Sequence, residues 1–342
     1  MKSDNPRMAK YEQVQARIRA TPRTWLVTGA AGFIGSHVCE ALVARGEDVI
    51  GVDNFDPFYA RAVKERNVEG LRRGPRFRFL EADVARDPLP WDGVDGAIHL
   101  AARPGVRPSL EDPAGYVTAN VGGTARVLDG ARRAGVARVI LGSSSSVYGD
   151  TTPAPFREDA AAVEPISPYA ATKRASELLA YAFAQLYGMR ILCLRFFTVY
   201  GPRQRPDLAI HRFTDLIARG QPLRMHGDGS SERDYTYISD AVDGILAAVE
   251  WTARPAPGGV CTAINIGGGA RVRLDRLIAL IGRTLGRPPQ VERYPDQPGD
   301  VRLTAADLRR VEAELGYRPR VGIEEGIRHF VRWYEATHGR QS

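Results

Sequence analysis

Lysine is almost missing from this 342-residue chain: of its 47 Lys and Arg residues only Lys2, Lys10, Lys64 and Lys173 are lysine, and the other 43 are arginine. Cysteine is scarce too, with Cys39, Cys193 and Cys261 odd in number, far apart and set in apolar surroundings. They read as reduced core residues, which excludes a disulfide framework or a zinc cluster, and no metal is expected. No run of about 20 apolar residues is present to cross a bilayer, and the opening MKSDNPRMAKYEQVQARIRA lacks the apolar stretch of a signal peptide. A cytoplasmic protein with no membrane partner is expected. Charge of one sign is not concentrated either. The 47 basic and 40 acidic residues leave a formal net charge of +7, but the arginines are interleaved with acids. That pattern argues against a nucleic-acid partner and suits a small anionic ligand.

What is present is a regular alternation. With 44% hydrophobic residues the chain can bury a full core. From Thr24 onward the β-branched runs TWLVTG, DVIGVD, RFRFLEAD, GAIHLA, ARVILGSS and MRILCLRFF are separated by helical patterns such as GSHVCEALVARG and YAATKRASELLAYAFAQLYG. Strands joined through helices imply right-handed crossovers, and hence an α/β fold with a doubly wound parallel sheet of the Rossmann type. Past Tyr200 the text turns to Pro- and Gly-rich joints (GPRQRPD, HGDGSSERD, PDQPGD), which predicts a smaller C-terminal α/β substrate lobe. The expected organisation is an N-terminal extension over 1–22, a dinucleotide-binding domain over 23–200 with a returning segment at about 234–260, and a substrate domain from 201–233 and 261–342.

Thr28-Gly29-Ala30-Ala31-Gly32-Phe33-Ile34-Gly35 falls between the first strand and the first helix. Glycines there permit a tight turn and let backbone N–H groups approach a pyrophosphate at the positive end of the helix. The spacing is G-x-x-G-x-x-G rather than G-x-G-x-x-G, in the strand-to-helix context that the motif requires. Asp53 ends the second strand, where a carboxylate accepts from an adenosine ribose and repels a 2′-phosphate; NAD is therefore expected over NADP. Asp83, after the third strand, is a candidate for the adenine edge.

Tyr169 and Lys173 stand four apart behind Pro168, so phenol and ammonium emerge on one helix face. A phenol is a poor base at neutral pH, and a neighbouring cation favours its ionised form. A chain that writes its cations as Arg keeps Lys here, where a planar guanidinium cannot replace a compact ammonium. Lys64, by contrast, falls in a charged stretch that reads as a plain surface helix. At the end of the fifth strand Ser143-Ser144-Ser145-Ser146-Val147-Tyr148-Gly149 faces the cleft side of a doubly wound sheet, and Ser144 is placed to bond a hydroxyl undergoing oxidation.

The ordered matches TGAAGFIGSHV, VDN, HLAA, ANVGGTARVLDGAR, SSSSVYG, SPYAATKRASE, LRFFTVYGP and RDYTYISDAVDG resemble the extended short-chain dehydrogenase/reductases that act on nucleotide sugars, from about Thr24 to the 330s. Within that family VDNFDPFYA, AARPGVRPSLEDPAGYV, LRFFTVYGPRQRPDLAIHRFT and QPGDV look most like UDP-glucuronate 4-epimerases. The resemblance implies tightly bound NAD, held by Gly29, Gly32, Phe33, Ile34, Gly35, Asp53, Asn54, Asp83, Val84, Leu100, Ala101, Ala102, Asn120, Tyr169, Lys173 and Phe196. It implies transient oxidation of a UDP-uronate at C4 with Tyr169, Lys173 and Ser144 as catalytic groups. Substrate contacts are implied for Arg107, Ser144, Ser145, Ser146, Thr198, Arg205, Arg233 and Asp300, with Arg233 on the diphosphate and Arg205 or Arg107 on the carboxylate. Relatives that dehydrate carry Asp-Glu, and those that decarboxylate carry Glu, just before the Val-Tyr-Gly; this chain has Ser145 and Ser146. A neutral UDP-hexose epimerase acting on UDP-glucose or UDP-N-acetylglucosamine, a UDP-glucuronate decarboxylase and a non-catalytic NAD sensor remain as alternatives. Family members pair through two helices, here about 113–134 and 168–187, which implies a homodimer.

Overall fold

The computed structural model describes residues 22–255, 258–295 and 303–339. Six β-branched runs form β1 (Thr24–Thr28), β2 (Asp48–Asp53), β3 (Phe77–Glu81), β4 (Gly96–His99), β5 (Arg138–Ser144) and β6 (Arg190–Phe196), and β10 (Val260–Ile266) joins them. All pair in parallel in the order β10-β6-β5-β4-β1-β2-β3. The doubly wound parallel sheet predicted from the alternation is therefore what the chain forms. A second sheet carries β7 (Thr198–Tyr200), β9 (Glu232–Tyr237) and β11 (Arg271–Arg273), and β8 (Leu223–His226) pairs with β12 (Val291–Tyr294). The sequence expectation returned the chain to the large lobe over about 234–260. Pairing of Val260–Ile266 with Arg190–Phe196 carries that return to Ile266, because the run VCTAINI completes the edge of the sheet.

The helices are α1 (Phe33–Ala44), α2 (Arg61–Arg72), α3 (Val106–Glu111), α4 (Gly123–Arg133), α5 (Pro168–Tyr187), α6 (Ala209–Ala218), α7 (Ile238–Thr252), α8 (Leu274–Leu285), α9 (Arg309–Leu315) and α10 (Ile323–His338). A turn at Pro113–Tyr116 and a π-helical segment at Val117–Gly122 lead into α4. Successive strand residues point to opposite faces, and both faces are covered. Trp25, Val27, Ile140, Leu192 and Leu194 pack with Val38 and Leu42 of α1 and Ile245 and Val249 of α7. Leu26, Val139, Leu141, Ile191 and Cys193 pack with Val127 and Leu128 of α4 and Ala180 and Ala184 of α5. Cys39 and Cys193 are buried free thiols as expected, whereas Cys261 is partly exposed.

Helix α5 starts where its sequence dictates. The Ser167 hydroxyl accepts from Ala170 N at 3.1 Å, and Pro168 takes the first helical position, where a missing N–H costs nothing. Its inner face is fixed by charge. The Glu177 carboxylate is 4% exposed and accepts two bonds from Arg195 at 2.9 Å, one from Ser143 Oγ at 2.6 Å and one from Arg174 at 2.9 Å. With so many donors the carboxyl is held below its usual range despite burial. Removing one member of such a network leaves an uncompensated buried charge. Glu177→Ala is expected to cost about 3–5 kcal/mol, read as a lowered urea midpoint, whereas Arg157→Ala, at an exposed pair with Asp159, should change it little.

Candidate active site

The strand order reverses between β1 and β4, and the loops that follow these strands part to leave a crevice. A cavity of about 300 Å³ opens there. Its walls bring together Gly29, Gly32, Phe33, Ile34, Gly35, Asp53, Asn54, Asp83, Val84, Leu100, Ala101, Ala102, Phe196, Ser144, Tyr169, Lys173 and Arg205. These residues span more than half the chain in sequence, and the end of one sheet collects them.

The turn after β1 fits a dinucleotide on steric grounds. Gly29 has φ +71°, and a Cβ on it would meet Ala101 N at 2.8 Å; a Cβ on Gly35 would stand 2.0 Å from Gly29 O. No other residue lets the chain double back so closely at the helix N-terminus. The turn is pinned by Ala31 N donating to Asp53 Oδ2 at 3.1 Å and by Asn67 Nδ2 donating to Ala31 O at 2.9 Å. Asp53 Oδ1 accepts from Phe55 N at 2.9 Å. Burial raises the Asp53 carboxyl, while Lys64 and the two backbone N–H groups pull it down.

Tyr169 lies in the first turn of α5, partly buried on the cavity wall, with its N–H on Ser109 Oγ at 3.1 Å. Burial pushes its phenol up; a hydrogen bond with Ser144 and the nearby Arg205 cation pull it down. The sequence reading gave that second role to Lys173. Instead, Lys173 Nζ donates to Gly142 O at 2.8 Å, at the end of the strand that carries Ser144. Burial pushes Lys173 down to about 8, with Glu177 acting to raise it. Arg205 donates to Asp207 at 2.8 and 3.0 Å and lies 5.4 Å from the Phe58 ring centroid. Its loop is braced to the large lobe by Arg203, which donates to Glu40 of α1 at 2.7 Å and to Ser36 at 3.3 Å.

Several expected residues stand off the cavity wall. Asn120 is buried in the π-helical segment, where its side chain accepts from Arg103 N at 2.7 Å and donates to Thr172 Oγ1 at 3.0 Å, so its amide is spent on holding α5. Ser145 and Ser146 form a 3₁₀ turn, with Ser144 Oγ donating to Ser146 Oγ at 3.1 Å. Thr198 opens β7 beside Tyr235, Arg107 sits in α3, and Arg233 on β9 donates to Glu232 O at 3.0 Å. Asp300 lies outside the described residues.

Other groups were not singled out from the sequence. Asp56, Phe58, Tyr59, Lys64 and Arg103 line the cavity. Lys64 is a correction: it is buried at 6% exposure, on the α2 face that also buries Asn67, Val68 and Leu71. That i, i+3, i+4, i+7 spacing was available in the sequence. His99 is enclosed between Thr28 Oγ1 at 2.7 Å and Thr124 Oγ1 at 3.2 Å, and burial pushes it down to about 3, so it is neutral at physiological pH. Among the described residues no helix is long and apolar enough to cross a membrane, and no group of three His, Cys, Asp or Glu side chains is placed for a metal ion.

A glycine turn at the switch point, an acid ending β2 and a Tyr-Lys-Ser cluster across the crevice define a dinucleotide-dependent enzyme of the Rossmann class. The chain belongs to the NAD dependent epimerase/dehydratase family, whose sequence profile matches residues 25–267. It is 38% identical over 315 residues to a UDP-glucuronate 4-epimerase of Thermodesulfobacterium geofontis, covering 90% of this chain and 95% of that one. It is also similar to the crystal structure of UDP-glucuronic acid 4-epimerase from Bacillus cereus in complex with UDP-glucuronic acid and NAD, with 35% identity, a TM-score of 0.87, and 92% of this chain and 100% of that one covered. A dTDP-glucose 4,6-dehydratase from Streptomyces venezuelae superposes with a TM-score of 0.84 at 32% identity over 92% of this chain and 98% of that one, so the backbone alone does not separate the activities.

The Lys173 environment sets a pH limit. Its ammonium is present below about 8 and lost above it, so kcat/KM is expected to fall as pH rises through that value. Glu177→Gln removes the anion that raises Lys173 and should move this limb to lower pH; a pH–rate profile of both proteins measures it.

Proposed function

We propose that this protein is an NAD-dependent UDP-glucuronate 4-epimerase, which interconverts UDP-glucuronate and UDP-galacturonate through transient oxidation at C4. The observation that carries this reading is Arg205, a cation on the same cavity wall as Tyr169 and Ser144 and close enough to pull the phenol down. A uronate brings a carboxylate to that place, and Arg205 has five donors, of which two are used on Asp207. The named relatives of similar length support the same substrate.

NAD, when bound against the glycine turn and Asp53, would supply reversible hydride acceptance for the sugar C4. The chain does the rest. Ser144 bonds both the sugar hydroxyl and Tyr169; Tyr169 takes the O4 proton and gives it back; Arg205 favours its ionised form, and Lys173, one helical turn on, adds a buried positive charge to the same cavity. Gly29, Gly32 and Gly35 admit the pyrophosphate, and Asp53 and Asp83 hold the adenosine end. A 4-keto uronate is a β-keto acid and loses carbon dioxide readily when its carboxylate aligns with the carbonyl. Arg205 restrains that carboxylate from the cavity wall, with Ser145, Ser146 and Thr198 beyond the wall as further neutral donors, and serine rather than a carboxylic acid stands at 145 and 146, just before Val147-Tyr148-Gly149, so neither position supplies an acid for elimination. Arg233 and Asp300 serve the nucleotide and its diphosphate, and Arg107 is a second cation for the sugar carboxylate.

The division of labour follows the two lobes, with dinucleotide on the large sheet and nucleotide sugar on the segments around β7–β9. Arg205→Ala should lower kcat/KM for UDP-glucuronate roughly 30-fold or more beyond any loss on UDP-glucose, the size of a lost charge-assisted bond, because both sugars share the effect on the Tyr169 phenol and only the uronate loses the carboxylate contact. Equal losses on both sugars would contradict the carboxylate role, and a wild-type preference for UDP-glucose would favour the neutral-hexose reading.

The same reading makes the protein a cytoplasmic homodimer. Val117, Leu178, Tyr181 and Leu186 on the helical run 113–133 and on α5 are 53, 55, 56 and 71% exposed, an apolar strip that pairing would cover. Leu178→Asp with Tyr181→Asp should convert a dimer to a monomer in light scattering after size-exclusion chromatography; a monomeric wild-type protein would contradict it.

A further inference from the structure

Both lysines among the described residues open onto the same cavity, in a chain that otherwise uses arginine. Lys173 is absorbed by the proton chemistry; Lys64 is not. It projects from α2, whose arginines Arg61, Arg66 and Arg72 are all exposed. Its Nζ donates to Asp56 O at 2.8 Å, stands 4.0 Å from Asp53 Oδ1 and lies 4.8 Å from the Tyr59 ring centroid. An ammonium has three donors, and one is used on Asp56 O. Each Asp53 oxygen accepts one backbone N–H and keeps a lone pair. The β2 end of the cavity therefore presents an acceptor and a donor side by side, both more than nine-tenths buried.

An acceptor beside a donor matches a vicinal diol, each hydroxyl of which gives one hydrogen bond and takes another. It also changes the electrostatics. A lone carboxylate repels a second anion, but an ammonium 4.0 Å away cancels most of that field for a group approaching both. We propose that Lys64 is a specificity-determining residue for the dinucleotide: it donates to the adenosine ribose and offsets the repulsion that Asp53 exerts on a 2′-phosphate. This rests on the NAD-dependent reading of the cavity. It makes exclusion of NADP a balance between Asp53 and Lys64 rather than a property of Asp53 alone. The compact slot between Asp56 O and the Tyr59 ring explains why lysine stands here, since a planar guanidinium is bulkier and spreads its donors.

The test is direct binding, without sugar or turnover, by calorimetry on nucleotide-stripped protein. Lys64→Met should weaken NAD about ten-fold and NADP by at least ten-fold more than NAD, as expected for loss of a charge-assisted bond together with a counter-charge. Unchanged NAD affinity in a variant with native circular dichroism, or equal losses for the two dinucleotides, would overturn the proposal. A second variant guards against misfolding of the first. In Asp53→Asn the Lys64 charge is no longer offset, and NADP should bind more tightly than NAD; a retained NAD preference would count against Lys64. A wild-type protein that binds neither dinucleotide would overturn the cofactor reading and this inference with it.

Discussion

The buried carboxylate of Glu177 couples helix α5 to the sheet, and the geometry of the crevice follows from that coupling. Arg195 on β6 and Ser143 on β5 both bond to it. Ser144, the next residue, is thereby fixed at the strand end, while Tyr169 and Lys173 lie two turns and one turn back along the same helix. The three groups that handle a proton are thus referred to one buried charge. Such a network is costly to assemble and costly to break; its return is orientation, which matters most when one donor must present both faces of a sugar carbon.

A second layer of constraint lies on the opposite side of the crevice. Asp53 holds the glycine turn through Ala31 N and its own loop through Phe55 N. Arg103 bridges Asp56 and Asp112 at 3.4 and 2.5 Å, and Phe58 packs against Arg205. Segments from both lobes therefore meet over the cavity. Away from the cavity many arginines are taken up in surface pairs such as Arg61 with Glu65 and Glu81 or Arg276 with Glu324. Pairs of that kind contribute little to stability.

How much of this was legible in the sequence depends on the range of the interaction. The glycine turn, Asp53 and the Tyr169–Lys173 spacing are set within a few residues of themselves, so their motifs carried them. The sheet followed from the alternation of strands and helices, apart from β10, whose return to the large lobe depends on pairing with a strand about 70 residues earlier. Asn120 was read as a cofactor contact, yet its amide is occupied by Arg103 and Thr172, partners 17 and 52 residues away. Lys64 was read as surface because its neighbours are charged, although its spacing with Asn67, Val68 and Leu71 placed it on the buried face. The lysine count was the better guide.

The central claim is that the cavity oxidises and re-reduces one carbon of a uronate while keeping its carboxylate. Proton NMR of purified protein incubated with UDP-glucuronate and NAD tests it most directly. The account predicts UDP-galacturonate accumulating to a fixed ratio with UDP-glucuronate and no net formation of NADH. A UDP-pentose, or unchanged UDP-glucuronate, would contradict it.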